Sequence, residues 1–467
     1  MKVLLIDPAP RQGVPEMYEN LGVASLTAAS RRAGFDTGMI LTHVEGWSRK
    51  QLGRELMRRR PDVLGISLLS SHALPTLELL RGLKADGLES RVVLGGHFPT
   101  FNDARIMQDW PEVDCVVRGE GDITLVRLLE TWRDGGDLAE VDGLTWREGA
   151  SVRSNPAREL VRDLDELPWP ARDYTERILR MGGTLNMVRS RGCYANCSFC
   201  SIASFYRIQS GSAWRQRSIG DVVDEMAHLS ERWPEAELKF HDDQFIGPGR
   251  KGREDAMAFA ETLASREDID LPLYIFARSD SVEPGLFKTL KEAGLKSVFV
   301  GVESGSQREL DAFDKRVTVE DNRRALQILC DLDIRFHVGL IFFNPYTEMD
   351  DVTANMEFIE QTRPLWGARG NILSVENRVI VYKGTPFWNR LMRDGRLEGD
   401  YMGYDYTIPD PRVRVLCTLS NVVLNYILPA FSRLVRARSF LRLAVQDGAD
   451  RFRRWLVPGF KGATEKG

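Results

Sequence analysis

Ser190-Arg-Gly-Cys-Tyr-Ala-Asn-Cys-Ser-Phe-Cys200 places Cys193, Cys197 and Cys200 within eight residues. The spacing CxxxCxxC lets one short loop wrap three thiolates around an iron-sulfur cube. A 4Fe-4S cluster normally takes four thiolates, so a loop that offers three leaves one iron open to a small chelating ligand. A zinc site asks for a fourth ligand, usually in a second Cys or His pair, and none follows here. A disulfide with one thiol left over suits a secreted chain, but there are six cysteines in 467 residues and nothing else suggests export.

Outward from that loop the chain alternates short apolar runs with amphipathic stretches. Downstream and just upstream, the runs Leu185–Val188, Leu238–Phe240, Leu273–Phe276, Ser297–Val300, Phe336–Ile341 and Arg378–Val381 read as six strands of a partial (β/α) barrel over residues 181–395. The cysteine loop directly follows the first of them. Further upstream, Val3–Ile6, Val63–Leu68, Val92–Leu94 and Asp114–Val117 alternate with helical stretches, the pattern of a doubly wound parallel sheet over residues 1–140. Residues 141–180, with Leu164-Asp-Glu-Leu-Pro-Trp-Pro170, read as a connector. Residues 396–467 read as a helical C-terminal region.

The cysteine loop, with Phe199 just before the last thiol, resembles that of the radical S-adenosylmethionine (SAM) superfamily. The N-terminal segment resembles the cobalamin-binding domain that precedes many of its members. Asp7-Pro8, Asn20-Leu21-Gly22, Gly95-Gly-His-Phe-Pro-Thr100 and Arg118-Gly-Glu-Gly121 carry that likeness. The fold implied is α/β: a Rossmann-like doubly wound parallel sheet, a partial (β/α)6 radical SAM barrel and a C-terminal helical region. Gly95 and Gly96, after a strand, let a ligand approach the backbone closely. Cobalamin domains that put histidine on cobalt carry Asp-x-His-x-x-Gly, whereas this chain reads Asp7-Pro-Ala-Pro-Arg-Gln-Gly13. That removes one mode of binding without excluding the cofactor. His72 and His97 lie at strand ends, where a packing role competes with a crevice role.

The resemblance implies that Cys193, Cys197 and Cys200 hold the cluster and that SAM is gripped at the barrel mouth. In Phe240-His-Asp-Asp-Gln-Phe245, one of Asp242 and Asp243 is expected to hold the SAM ammonium and the other to cap the next segment. Arg278 is the best cation for the methionyl carboxylate, since a guanidinium binds it in bidentate fashion. Glu303 is the best ribose partner; a buried Arg278–Glu303 pair across adjacent strands is the competing reading. Val381 and Tyr382 are candidates to wall the adenine, and Tyr206 is a candidate phenol beside the substrate, with helix packing open as its alternative. Asn344, Glu376 and Asn377 are further mouth candidates.

The function implied is reductive cleavage of SAM and hydrogen abstraction from a small molecule, a natural product or sugar as in antibiotic biosynthesis, for cobalamin-dependent C-methylation. Radical dehydration of an aminoglycoside-type diol without cobalamin is the alternative, and an electron carrier or sensor is the non-enzymatic one. A flavodoxin- or ferredoxin-type donor is implied by the family. Net charge is −4, with 43% hydrophobic and 28% charged residues, which gives no pull toward nucleic acid and excludes disorder. Arg207, Arg215 and Arg217 near the cluster permit an anionic substrate, against a solvated helix face as the bland reading. The start Met1–Asp7 is too short and too acidic for a signal core, and Val415–Val435 is too broken for a membrane span, so a reducing cytoplasm is expected. The basic run from Arg433 to Lys466 reads as the solvated face of a packed helix, with a membrane-surface helix as the alternative.

Overall fold

A computed structural model describes residues 1–10, 17–366, 370–374 and 378–422. The first sheet has seven strands: β1 Lys2–Asp7, β2 Asp36–Leu41, β3 Val63–Ser67, β4 Arg91–Gly95, β5 Cys115–Val117, β6 Leu144–Glu148 and β7 Ser151–Ser154. Their spatial order is β2-β1-β3-β4-β5-β6-β7. The first five run parallel, and β6 and β7 extend the edge antiparallel. Part of the segment read as a connector is therefore sheet. Order reverses between β1 and β3, where an open α/β sheet leaves a crevice outside its strands' carboxyl ends. Asn20 joins strand end to helix start there. Its Oδ1 caps helix Leu21–Arg32 by accepting from Val23 N at 3.1 Å, and its Nδ2 donates to Asp7 at 2.9 Å.

The chain then forms β8 Leu185–Met187 and the short antiparallel pair β9 Ser190–Arg191 and β10 Arg215–Gln216. β11 Leu238–Phe240, β12 Leu273–Arg278, β13 Leu295–Glu303, β14 Arg335–Leu340 and β15 Gly370–Ser374 follow. β8 and β11–β15 make an all-parallel sheet in the order β15-β14-β13-β12-β11-β8, an open six-stranded barrel wall. Its core is built from apolar strand residues and from helices such as Ile219–Arg232 and Gly249–Ala264; Phe240, Phe245 and Phe259 meet edge to face within it.

The sixth strand lies earlier than expected. Gly370–Ser374 pairs with β14, whereas Arg378 makes only an isolated bridge with Phe343. Arg378–Val381 carries a β-branched strand composition, but β14 has already been paired. The C-terminal region opens with an antiparallel hairpin, β16 Leu397–Asp400 and β17 Gly403–Tyr406, before helix Pro411–Val422. Glu376, Asn377 and the basic run from Arg433 onward lie outside the described residues. Among the described residues no helix is long and apolar enough to cross a membrane.

Candidate active site

The carboxyl ends of the two parallel sheets enclose one cavity of about 380 Å3. One wall is Asn20–Val23, Gly95–His97 and Gly119–Asp122; the other is Ser190, Arg191, Tyr206, His241 and Asp243. The glycines thin the first wall. Gly96 has φ 95°, and a Cβ there would press 3.1 Å from the Leu68 carbonyl oxygen. Three of the four motifs expected at the crevice therefore contribute to its lining, and Asp7-Pro8 does not.

The cysteine loop leaves β9 through Gly192, whose φ is 83° and where any Cβ would collide with the Ala213 carbonyl. Three backbone bonds pin it. Ser198 N donates to Phe313 O at 2.7 Å, Phe387 N to Ser198 O at 2.9 Å, and Cys200 N to Cys197 O at 3.1 Å. Phe199 packs edge to face on Phe313, centroids 5.1 Å apart. All six cysteines are free thiols, and burial pushes the Cys200 thiol up to about 12 and that of Cys193 upward. Cys193 and Cys200 are half-buried and Cys197 is buried, and a positive centre such as an iron cluster would favour their thiolate forms. Three free thiols on a pinned loop fit the cluster.

Asp242 and Asp243, in the loop that follows β11, divide their work. Asp242 is buried and clasps the backbone before the cysteine loop, accepting from Arg189 N at 3.1 Å and from Ser190 N and Oγ. Asp243 lines the cavity and accepts from Gly192 N at 3.1 Å. Its side chain is open to the cavity, and partial desolvation there, with Asp242 beside it, raises its carboxyl above the ordinary carboxylate range.

Arg278 ends β12 with its fork on Asp280, at 2.9 and 3.1 Å, and with Nη2 also on Lys315 O at 2.7 Å. Nη1 faces Cys197 Sγ at 3.6 Å. Glu303, at a register shift in β13 with φ 64°, receives Lys315 Nζ at 2.8 Å. The cross-strand Arg278–Glu303 pair does not form; each residue has found a separate local partner, and Lys315 was not foreseen. Tyr206 lines the cavity, half-buried, with the Arg215 guanidinium over its ring at 5.3 Å. Tyr382 lines a smaller cleft beside the cavity rather than the cavity itself.

Other expected groups serve the fold. Asn344 is buried, donating to Glu309 at 2.7 Å and accepting from Tyr346 N. His72 Nε2 accepts from Leu69 N, capping a helix. His97 does line the cavity, stacked on Phe205 at 4.1 Å. Arg215 and Arg217 are neither solvated nor free for a substrate. Arg215 holds Glu120 with two bonds of 2.9 Å, and Arg217 holds Asp221 and Glu225. Arg191 likewise grips Asp122 at 2.7 and 3.1 Å. Arg191, Asp122, Glu120 and His241 were missed because their partners lie far away in sequence.

A Rossmann-type ligand-binding domain closed over a partial barrel that carries a three-cysteine loop defines a cluster-dependent enzyme with a second cofactor domain. Residues 13–129 match the B12 binding domain, and residues 187–359 match the radical SAM superfamily. The chain belongs to the radical SAM superfamily, with a B12 binding domain ahead of the radical SAM domain. It is an enzyme of that superfamily, whose cofactors are a 4Fe-4S cluster and SAM, with cobalamin as the ligand of the additional domain. It is 31% identical to the hopanoid C-3 methylase of Methylococcus capsulatus over 353 residues, 73% of this chain and 64% of the relative. It is 27% identical to an uncharacterized methyltransferase of Pyrococcus horikoshii, covering 77% of this chain and 78% of that one. The 4'-phospho-dehydrooxetanocin synthase of Priestia megaterium is 27% identical, and the chain spans 51% of its length. Among solved structures, the cobalamin-dependent radical enzyme OxsB superposes with TM-score 0.76 at 22% identity, over 90% of this chain and 66% of that one. The methyltransferase TsrM from Kitasatospora setae does so with 0.68 at 18%, over 84% and 78%.

Proposed function

We propose that this chain is a cobalamin-dependent radical SAM methyltransferase acting on unactivated carbon of a small molecule. One observation carries the reading: a single cavity is lined on one side by the B12-domain loops and on the other by the cluster-bearing barrel. Transfer between two cofactors needs them to face each other across a shared, water-poor space. The methylase and methyltransferase relatives support methyl transfer.

When bound, the cluster and SAM supply a carbon-centred oxidant, and methylcobalamin supplies the methyl group. Cys193, Cys197 and Cys200 hold the cluster, and Arg278 Nη1 stabilises the Cys197 thiolate. Asp243 receives the SAM ammonium, because it is the acid that faces the cavity, while Asp242 keeps the loop in register. Glu303, steadied by Lys315, accepts from the ribose. Gly95 and Gly96 let the corrin ring reach the backbone, and Tyr206 offers its phenol at the substrate side. A flavodoxin- or ferredoxin-type protein would deliver the electron. The free cysteines and a cluster that oxygen attacks both favour a reducing cytoplasm.

Anaerobic purification with hydroxocobalamin tests the reading. About one corrinoid per chain in the visible spectrum is expected, and protein that takes up cluster but no corrinoid would favour radical dehydration without cobalamin. Protein that holds a cluster yet cannot cleave SAM with dithionite would return it to an electron carrier or sensor.

A further inference from the structure

Arg278, at the carboxyl end of β12, is buried, and its guanidinium is committed on three sides. Nε and Nη2 fork onto the two carboxylate oxygens of Asp280 at 2.9 and 3.1 Å, and Nη2 donates a second time, to the Lys315 carbonyl at 2.7 Å. The backbone behind it is fixed as well. Arg278 N donates to Gln244 Oε1 at 3.2 Å, and Arg278 O accepts from Ser281 Oγ at 2.7 Å. The arm that remains, Nη1, faces the buried Cys197 Sγ at 3.6 Å.

A guanidinium carries five N–H donors in one plane, and a bidentate hold on a carboxylate takes two parallel donors from neighbouring nitrogens. The Nε–Nη2 edge of Arg278 lies on Asp280, and Lys315 takes the other Nη2 hydrogen, so the Nη1–Nη2 edge is spent too. No fork is left for the methionyl carboxylate. What Arg278 offers instead is a fixed positive charge beside a thiolate.

The Lys315 side of this grip is held against backbone preference. Asp314 and Arg316, on either side of Lys315, have φ 46° and 58°, a left-handed conformation that residues with a side chain rarely adopt. The same turn backs the cysteine loop: Ser198, next to Cys197, donates through N to Phe313 O at 2.7 Å and through Oγ to Ala312 O at 3.1 Å. Strain of this kind persists where the surroundings over-determine it, and it gathers at functional sites. Here it sets a carbonyl against the guanidinium that touches the thiol.

Arg278 and Asp280 are unequal partners. Their side chains are 9% and 34% exposed, so water screens the carboxylate more than the guanidinium. With Nη1 also the nearer group, the net field at Cys197 is positive.

We propose that Arg278 is a positioning residue for the cluster: acting through Cys197 it raises the reduction potential of the 4Fe-4S centre, and it does not hold the methionyl carboxylate. This rests on the assignment of Cys193, Cys197 and Cys200 to the cluster and is independent of corrinoid. One electron from the donor protein enters the cube and its thiolates and adds one negative charge there, which a cation fixed at a ligand sulfur stabilises. Hydrogen bonds to the sulfurs, net charge and exposure set such potentials, and groups behind the ligands tune the metal. Asp280 opposes Arg278 in sign, so removing one or the other must move the potential in opposite directions.

A redox titration of anaerobically reconstituted protein, followed by electron paramagnetic resonance, tests this. In Arg278→Gln the ratio of reduced to oxidised cluster at a fixed potential should fall about tenfold, a shift of about 59 mV to lower potential for a one-electron couple. Arg278→Lys, which keeps the charge, should recover part of that shift. Asp280→Asn should move the midpoint upward. SAM affinity, by equilibrium dialysis, should stay that of the parent in Arg278→Gln. An unmoved midpoint in Arg278→Gln would overturn the proposal, as would shifts of one sign in Arg278→Gln and Asp280→Asn, which mere loosening of the loop would give. Weakened SAM binding with an unmoved midpoint would return Arg278 to the carboxylate. Should Arg278→Gln fail to hold iron, the sign of the Asp280→Asn shift decides alone. Iron content of the same samples separates the two readings: a parent chain without iron overturns the cluster assignment and this inference with it, whereas iron-loaded parent and variants with one common midpoint overturn this inference only.

Discussion

Arg191 on β9 and Asp122 at the start of helix Asp122–Asp134 grip each other through two bonds, 2.7 and 3.1 Å, across the boundary between the two sheets. Arg215 and Glu120 repeat the arrangement alongside at 2.9 Å. Burial would raise the Asp122 carboxyl, but Arg191 outweighs it and holds that carboxyl below its ordinary range. These two pairs tie the Gly119–Asp122 wall of the cavity to the hairpin from which the cysteine loop springs. Asp122→Asn leaves the Arg191 charge buried and half satisfied, a change that typically costs about 3–5 kcal/mol. The urea midpoint should fall accordingly, and hydroxocobalamin affinity should fall with it.

Cys197→Ser should abolish the cluster without unfolding the chain. The hydroxyl nearly matches the thiol in volume but does not ionise beside iron as a thiolate does. Iron should drop from about four per chain toward zero, and 5'-deoxyadenosine formation from SAM with dithionite should vanish. The far-ultraviolet circular dichroism should stay that of the parent chain. Retained iron and turnover would remove the cluster assignment.

Much of this site is local in sequence and was legible for that reason. The cysteine loop is one spacing, and each glycine pair that lines the cavity directly follows an apolar run. Asp242 and Asp243 are neighbours in the loop after β11, and nothing local in sequence says which of them clasps the backbone and which faces the cavity. The pairs Arg191–Asp122 and Arg215–Glu120 span 69 and 95 residues, so no local pattern announces them. The sixth strand was misplaced because Gly370–Ser374 lacks the β-branched run that Arg378–Val381 displays, while pairing with β14 is decided by tertiary position.

Stability should decline on the acid side through two cavity histidines. Burial lowers both His97 and His241 to about 4, with Lys239 adding to the effect on His241. Above about pH 6.5 neither folded nor unfolded chain protonates them, and their contribution is complete. As pH falls from 6.5 toward 4 the unfolded chain takes up protons that the folded one refuses, so stability is lost, by roughly 3 kcal/mol for each histidine. His241→Gln keeps a donor for Asn186 Oδ1, which lies 2.6 Å from His241 Nε2. Urea unfolding between pH 4 and 7.5 should show about half the parent's acid slope in that variant; an unchanged slope would exclude His241 as its source.

Glu303 offers the sharpest test of how SAM is held. A Cβ at Gly301 would lie 2.7 Å from Glu303 Oε1 and 3.1 Å from Lys315 Nζ. Both are the ends of flexible side chains, so Gly301→Ala displaces the carboxylate while the strand keeps its register between β12 and β14. If Glu303 accepts from the ribose, SAM affinity should fall about tenfold, equivalent to about 1.4 kcal/mol. Iron and corrinoid content should not change. Glu303→Gln should weaken binding as well, because the amide replaces one acceptor by a donor. Equilibrium dialysis of radiolabelled SAM against the reconstituted variants gives the comparison, and parent-like affinity in both would assign Glu303 to Lys315 alone.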